Sequence, residues 1–124
     1  MKISIEGKNI ELTKAIKDHV TEKLRKLEKH FENVIKQHEV KARLSIAKNP
    51  RITNNNIIEV TIFLDGKIIR SEQASEDMYA SIDVVIDKLD RQIQKYKAKV
   101  YKSYQHHEEK STQKIKLKNE LMKP

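Results

Sequence analysis

The spacing of apolar residues along this chain changes period several times, and each change marks an element. Residues 2–6 alternate, with Ile3 and Ile5 on one side and Lys2, Ser4 and Glu6 on the other. A period of two sends successive side chains to opposite faces, so this is a half-buried strand, which Gly7 is expected to stop. Thr13 then reads as the N-cap of a helix running to about Phe31. Its apolar residues Ile16, Val20, Leu24, Leu27 and Phe31 recur every three or four positions and form one stripe. Around Glu39 the period returns to two, with Val40, Ala42, Leu44 and Ile46 facing one way and Lys41, Arg43 and Ser45 the other.

Residues 48–56, rich in asparagine with one proline, read as a long hairpin loop. A third strand follows with Ile58, Val60, Ile62 and Leu64 inward, and Asp65-Gly66 signals a tight turn. The fourth strand, about 67–73, has an ambiguous register because Ile68 and Ile69 are adjacent. Ser75 is placed to cap a second helix, with Glu76 and Asp77 in its first turn. Met78, Ile82, Val85, Ile86, Leu89, Ile93, Tyr96 and Val100 make its stripe, carrying the helix to Tyr101 or beyond. After Ser103 the pattern weakens, and a mobile tail or frayed helical extension is expected.

The order β-α-β-β-β-α predicts an α+β fold: a two-layer sandwich whose four-stranded mixed sheet carries both helices on one face. A right-handed crossover through the first helix makes strands one and two parallel, and the remaining strands form an antiparallel meander. The expected division is a folded domain over 1–102 and a flexible basic tail, or the start of a linker, over 103–124.

Composition narrows the function classes. With 124 residues, 37% hydrophobic and 35% charged, the chain has room for one domain with a modest core. It has no cysteine, so disulfides and thiolate metal sites are excluded. No stretch approaches the roughly 20 apolar residues of a membrane span, and the alternating N-terminus is unlike a signal peptide, so a cytoplasmic location is expected. The five histidines, His19, His30, His38, His106 and His107, lack the spacing of a helical zinc-hydrolase motif. There is neither a glycine-rich phosphate loop nor a nucleophile elbow. The expectation is a protein without catalytic activity, cofactor, metal or small-molecule substrate.

The net charge of +8 points to a polyanionic partner, and its location sharpens the point. The second helix is acidic in its first half, through Glu76, Asp77, Asp83 and Asp87. Its second half holds Lys88, Arg91, Lys95, Lys97, Lys99 and Lys102 against Asp90 alone. That order suits the helix dipole, but the dipole acts over the last turn and does not explain a basic block several turns long. At about 100° per residue, Lys88, Arg91, Lys95, Lys99 and Lys102 fall in one band, a form that suits a phosphate backbone. A solvated, solubility-conferring face is the bland alternative. On the first helix, His19, Lys23, Lys26 and His30 form a second band with no acid in it, and side-by-side helices would let the two bands flank one groove. Lys48 and Arg51 in the hairpin loop are a third source of charge. Phe31 and Tyr96 lie on apolar stripes and read as core, while Phe63 is a candidate for the open sheet face. One ring is not a paired stacking platform, so backbone and shape recognition is favoured over base readout.

Three segments carry a resemblance. The first runs from Ile5 through Gly7-Lys8-Asn9 and Glu11-Leu12-Thr13 to Ala15-Ile16. The second is Lys23-Leu24, Lys26-Leu27-Glu28. The third is Glu76-Asp77-Met78-Tyr79-Ala80-Ser81-Ile82-Asp83, followed by Asp87-Lys88-Leu89, Arg91-Gln92 and Lys95. Over roughly residues 1–102 the chain resembles the ribosome hibernation promoting factor and protein Y (ribosome-associated inhibitor A) family. The resemblance implies a non-catalytic factor that binds the small (30S) ribosomal subunit. It would contact 16S-type ribosomal RNA in the channel for messenger and transfer RNA, near neighbouring ribosomal proteins, and inhibit translation under stress or in stationary phase. By position it nominates Lys23, Lys26, Lys88, Arg91, Lys95 and Lys99 for phosphate contacts, with Tyr79 and Asp83 shaping the docking of the second helix. Long forms of the family continue through a linker into a domain that pairs ribosomes. The tail resembles the start of that linker, so a shortened long form is expected ahead of a native short form with a basic tail. Two other classes compete: a generic double-stranded RNA-binding module, and a protein-interaction module whose charge serves solubility.

Overall fold

The computed structural model describes residues 1–35, 38–49, 51 and 53–112, with Asn33 and everything from Val100 onward as backbone only. Its elements are β1 (Lys2–Lys8), α1 (Lys14–His30), a single-turn α2 (Glu32–Ile35), β2 (Glu39–Ile46), β3 (Asn56–Leu64), β4 (Lys67–Ser75) and α3 (Met78–Thr112). Residues 1–93 form one compact unit; the continuation of α3 from Gln94 belongs to a second. The tail expected to be mobile is helical backbone up to Thr112 and lies outside the described residues from 113 on.

The sheet order is β1-β2-β3-β4. β1 pairs with β2 in parallel, Ile3 opposite Val40, and the remaining pairs are antiparallel. This is the mixed sheet that the order of elements predicts. One sheet face is closed by Val40, Ala42 and Leu44 of β2, Ile58, Val60, Ile62 and Leu64 of β3, and Ile69 of β4. Against it the helices bury the stripes read from periodicity: Val20, Leu24 and Leu27 from α1; Met78, Ile82, Val85, Leu89 and Ile93 from α3. A period of two on the sheet and 3.6 on the helices leaves one apolar surface per element, and stacking those surfaces is the packing that buries all of them.

Four local expectations change. Gly7 does not stop β1; it pairs with Leu44, one residue before the strand's end. A Cβ there would stand 2.8 Å from Leu12 Cγ, so glycine is needed for the α1 approach to lie down on the strand. The chain turns instead at Asn9, which adopts a left-handed φ of 59°. The second correction concerns the cap of α3. Ser75 is still in β4, opposite Asn56, and Asp77 is the cap, its Oδ2 accepting the Ala80 N–H at 3.2 Å. Glu76 and Asp77 therefore precede the first turn. Third, the register of β4 is settled: Ile69 is buried at 2% exposure while Ile68 stands 60% exposed on the open face. Fourth, the short α2 was not anticipated, because one turn is too short to show a period; Ile35 in it is fully buried.

Candidate nucleic-acid interface

The two helices join along a polar seam above the core. Thr13 caps α1, its hydroxyl accepting the Ile16 N–H at 3.2 Å, and fixes where that helix starts. From there, steps of four, three and four residues line up His19, Lys23, Lys26 and His30. Within its own helix this band faces no carboxylate except Glu22, whose Oε1 lies 3.7 Å from Lys26 Nζ. Across the seam, however, α3 supplies acids. Asp83 Oδ1 sits 2.9 Å from His19 Nε2 and 3.8 Å from Lys23 Nζ, and Asp90 Oδ2 lies 3.6 Å from His30 Nδ1. The band is thus not acid-free. A single-helix projection cannot see a partner on another element.

Tyr79, one turn before Asp83, sets its ring edge-on to His19 with centroids 5.1 Å apart. Tyr79 and Asp83 together clip α1 to α3 at the surface. The spacing from Asp83 to Asp90 is seven residues, two helical turns, which places both on one flank of α3. That spacing was the available clue to the seam.

Lys88 lies on the opposite flank. Its Nζ donates to the Glu72 carbonyl at 3.0 Å, and Gln92 Nε2 donates to the Arg70 carbonyl at 3.1 Å. These carbonyls belong to β4, the edge strand, so both side chains fasten α3 to the sheet edge. Arg91 is exposed and spends its Nε on the Asp87 carbonyl of its own helix at 3.4 Å. The expected single groove between two basic bands is therefore corrected: Asp83 and Asp90 stand between Lys23 and the Lys88–Arg91 side of α3. Lys95 and Lys99 are exposed residues of α3 in the second unit.

The hairpin loop leaves Lys48 and Arg51 exposed. On the open sheet face, Arg43 is held by Glu6 and Arg70 by Glu59, each at 2.6 Å. Donating this hydrogen bond to the Glu6 carboxylate raises the affinity of the Arg43 guanidinium for its proton. Lys41 lies 5.6 Å above the Phe63 ring, and this face encloses a shallow depression of about 550 Å³ that also includes Ile68. Phe31 is buried, in keeping with a core role, and Tyr96 is half-buried. Among the described residues no group of three or more His, Asp or Glu side chains is arranged to hold a metal ion, and no helix is long and apolar enough to cross a membrane.

The motif segments thus form the β1–α1 approach, the seam and the outer flank of α3. A family model described as sigma 54 modulation protein / S30EA ribosomal protein matches residues 3–101. The chain belongs to this family. Among its relatives in the family, it is 43% identical over 113 residues to the ribosome hibernation promotion factor of Picosynechococcus sp., covering 91% of this chain and 58% of that protein. The Bacillus subtilis ribosome hibernation promotion factor is 40% identical over 104 residues, covering 84% of this chain and 52% of that one. The chain therefore spans between half and three-fifths of these two relatives. For the Azotobacter vinelandii ribosome hibernation promoting factor, identity is 35% over 99 residues, with 80% and 85% covered. Among solved structures, the N-terminal domain of protein Y from Thermus thermophilus superposes with a TM-score of 0.64 at 31% identity, covering 77% of this chain and 99% of that one. A ribosomal subunit interface protein from Coxiella burnetii gives a TM-score of 0.68 at 24% identity, covering 79% and 99%, and supports the S30EA-family fold.

Proposed function

We propose that this chain is the ribosome-binding part of a hibernation factor, a non-catalytic cytoplasmic protein that docks on the small ribosomal subunit and blocks translation under stress or in stationary phase. In this reading, Lys23, Lys26, Lys88, Arg91, Lys95 and Lys99 neutralise phosphates of ribosomal RNA in the channel used by messenger and transfer RNA. The observation that carries it is the state of the helix cations in an S30EA-family chain. Lys26 is 68% exposed with its carboxylate partner at 3.7 Å, and Arg91, Lys95 and Lys99 are exposed. Exposed lysine pairs of this kind are worth about 0.3–0.5 kcal/mol, so exchanging the partner for a phosphate costs little. No cofactor, metal or small-molecule substrate is needed.

The test is co-sedimentation with purified 30S subunits across a salt series. Each phosphate contact is worth about five- to eightfold in affinity at 0.1 M salt. Arg91→Glu combined with Lys26→Glu should therefore weaken binding at least about 25-fold and flatten the salt dependence. Saturable one-to-one binding that messenger or transfer RNA weakens is the expected wild-type result. Unsaturable binding, with equal affinity for a plain RNA duplex, would refute the proposal in favour of a generic double-stranded RNA module. Unchanged binding by the double variant would refute the assignment of these residues.

A further inference from the structure

The two edges of the sheet are finished differently. On β4, side chains take the outward carbonyls from Arg70 to Ala74. Gln92 Nε2 donates to Arg70 O at 3.1 Å, Lys88 Nζ to Glu72 O at 3.0 Å and Gln73 Nε2 to Ala74 O at 3.0 Å. On β1 the opposite holds. Lys2 donates its N–H to the His38 carbonyl at 2.9 Å, so in this parallel ladder the even-numbered residues bond to β2. The N–H and C=O groups of Ile3, Ile5 and Gly7 therefore point outward, and among the described residues nothing takes them up. The apolar cover is incomplete at the same place. Ile3 and Ile5 are half-buried, whereas their neighbours Val40, Ala42 and Leu44 on β2 are sealed. An edge left open in this way is a template for another strand.

We infer that β1 is a self-association edge, on which β1 of a second copy of this chain pairs antiparallel. The strand's own sequence selects that occupant. Outward residues must meet outward residues, which leaves few registers. Centred on Ile5, the pairing sets Lys2 against Lys8; centred on Glu6, it sets Glu6 against itself. Centred on Ile3, it runs into Met1, whose carbonyl and amino group are held by Arg25 and Glu28. Centred on Ser4, it sets Lys2 of each copy against Glu6 of the other, Ile3 against Ile5, and Ser4 against Ser4 on the two-fold axis. Opposite charges and apolar pairs then face each other throughout. Lys2 is exposed and makes no ion pair among the described residues. Glu6 is 62% exposed and gives only Oε1 to Arg43, so Oε2 is open to a second cation. The net charge of +8 is not concentrated at this edge. The flank of α1 beside it, marked by the contacts of Arg25 and Glu28 with Met1, carries the ion pairs Lys14–Asp18 and Arg25–Glu28, with Lys17 in excess. Lys23 and Lys26 lie on the opposite flank, outside the junction.

The chain has no cysteine, so Ser4→Cys introduces a single thiol on the axis. Facing residues of a non-hydrogen-bonded antiparallel pair have Cα atoms about 4.5 Å apart, within disulfide reach. A one-strand junction is smaller than the standard interface of about 1,600 Å², so the nuclease-treated full chain should dimerise with a Kd on the order of 100 µM in sedimentation equilibrium. In a glutathione redox buffer, Ser4→Cys should close into a covalent dimer at least about tenfold faster than Lys8→Cys on the same strand or Ile68→Cys on the same sheet face. Lys2→Glu turns both ion pairs into repulsions; it should slow closure at Ser4→Cys, and raise the Kd of the otherwise unaltered chain, by about fivefold or more. All four positions are exposed, so unfolding temperatures should stay near that of the wild type. A chain that sediments as a monomer at millimolar concentration, equal closure at the three cysteine positions, or indifference to Lys2→Glu would overturn the inference. No RNA is present in these measurements, so the ribosomal proposal stands or falls on its own test.

Discussion

Ser81→Ala tests how the second helix is anchored, and through it the placement of every cation on α3. Ser81 is fully buried. Its hydroxyl donates to the Asn56 carbonyl at 2.6 Å and lies 2.7 Å from the Ser75 hydroxyl. Asn56 in turn donates to the Glu76 carbonyl at 2.9 Å. The start of β3, the end of β4 and the first turn of α3 thus meet at one hydroxyl. Removing it deletes a hydrogen bond worth about 1 kcal/mol and leaves a carbonyl short of a donor in a part-buried site, at about 1–3 kcal/mol. The Ser75 hydroxyl keeps its contacts with Asp77, so the loss does not double. A total of about 2–4 kcal/mol is expected, with a drop in Tm on the order of 10–20 °C. Chemical denaturation of Ser81→Ala, Ser75→Ala and the double variant would give the loss and a coupling of about 1 kcal/mol. A loss under about 0.5 kcal/mol, or a cycle with no coupling, would refute the account of this junction.

Two further outcomes follow from the fold. Ile69→Ala empties a position on the buried sheet face and should cost about 2–5 kcal/mol, whereas Ile68→Thr beside it should stay within about 0.5 kcal/mol of wild type; reversed values in urea denaturation would mean the β4 register is wrong. Glu28 has its carboxyl held below the usual 4.5 chiefly by the hydrogen bond from the Met1 amino group, with Arg25 adding to it. A depressed folded-state value stabilises the fold above pH 4.5 and loses that contribution as pH falls through it towards the folded value. Glu28→Gln should therefore be less stable at neutral pH and show a shallower acid limb in unfolding scans; an unchanged limb would count against the ion pair.

Much of this fold is legible in the sequence. Val20, Leu24, Leu27 and Phe31 of the α1 stripe, Met78, Ile82, Val85, Leu89 and Ile93 of the α3 stripe, Val40, Ala42 and Leu44 of β2, Ile58, Val60, Ile62 and Leu64 of β3 and the Asp65-Gly66 hairpin, where Gly66 has φ 72°, sit where periodicity and turn chemistry put them. The side chain of Val100, the last residue of the expected stripe, lies outside the described residues. The one-turn α2, the cap at Asp77 and the role of Gly7 were not legible. Each depends on a neighbour distant in sequence or on an element shorter than one period. The candidate site divides in the same way. Lys26, Arg91, Lys95 and Lys99 could be nominated as exposed cations because a charged residue off the apolar stripe faces water whatever the partner helix does.

The amino-acid sequence by itself determined the order of the four strands and two long helices, the inward faces of β2 and β3, the net charge of +8 and the family. These follow from local period, composition and motif, which need no knowledge of neighbours. Only the tertiary structure decided that Asp83 faces His19 and Lys23, and that Lys88 fastens α3 to the Glu72 carbonyl instead of lining a shared groove. The rotation of one helix about its axis relative to another is set by how both bury their stripes on the same sheet. A sequence pattern defines each stripe separately and leaves that relative placement to packing.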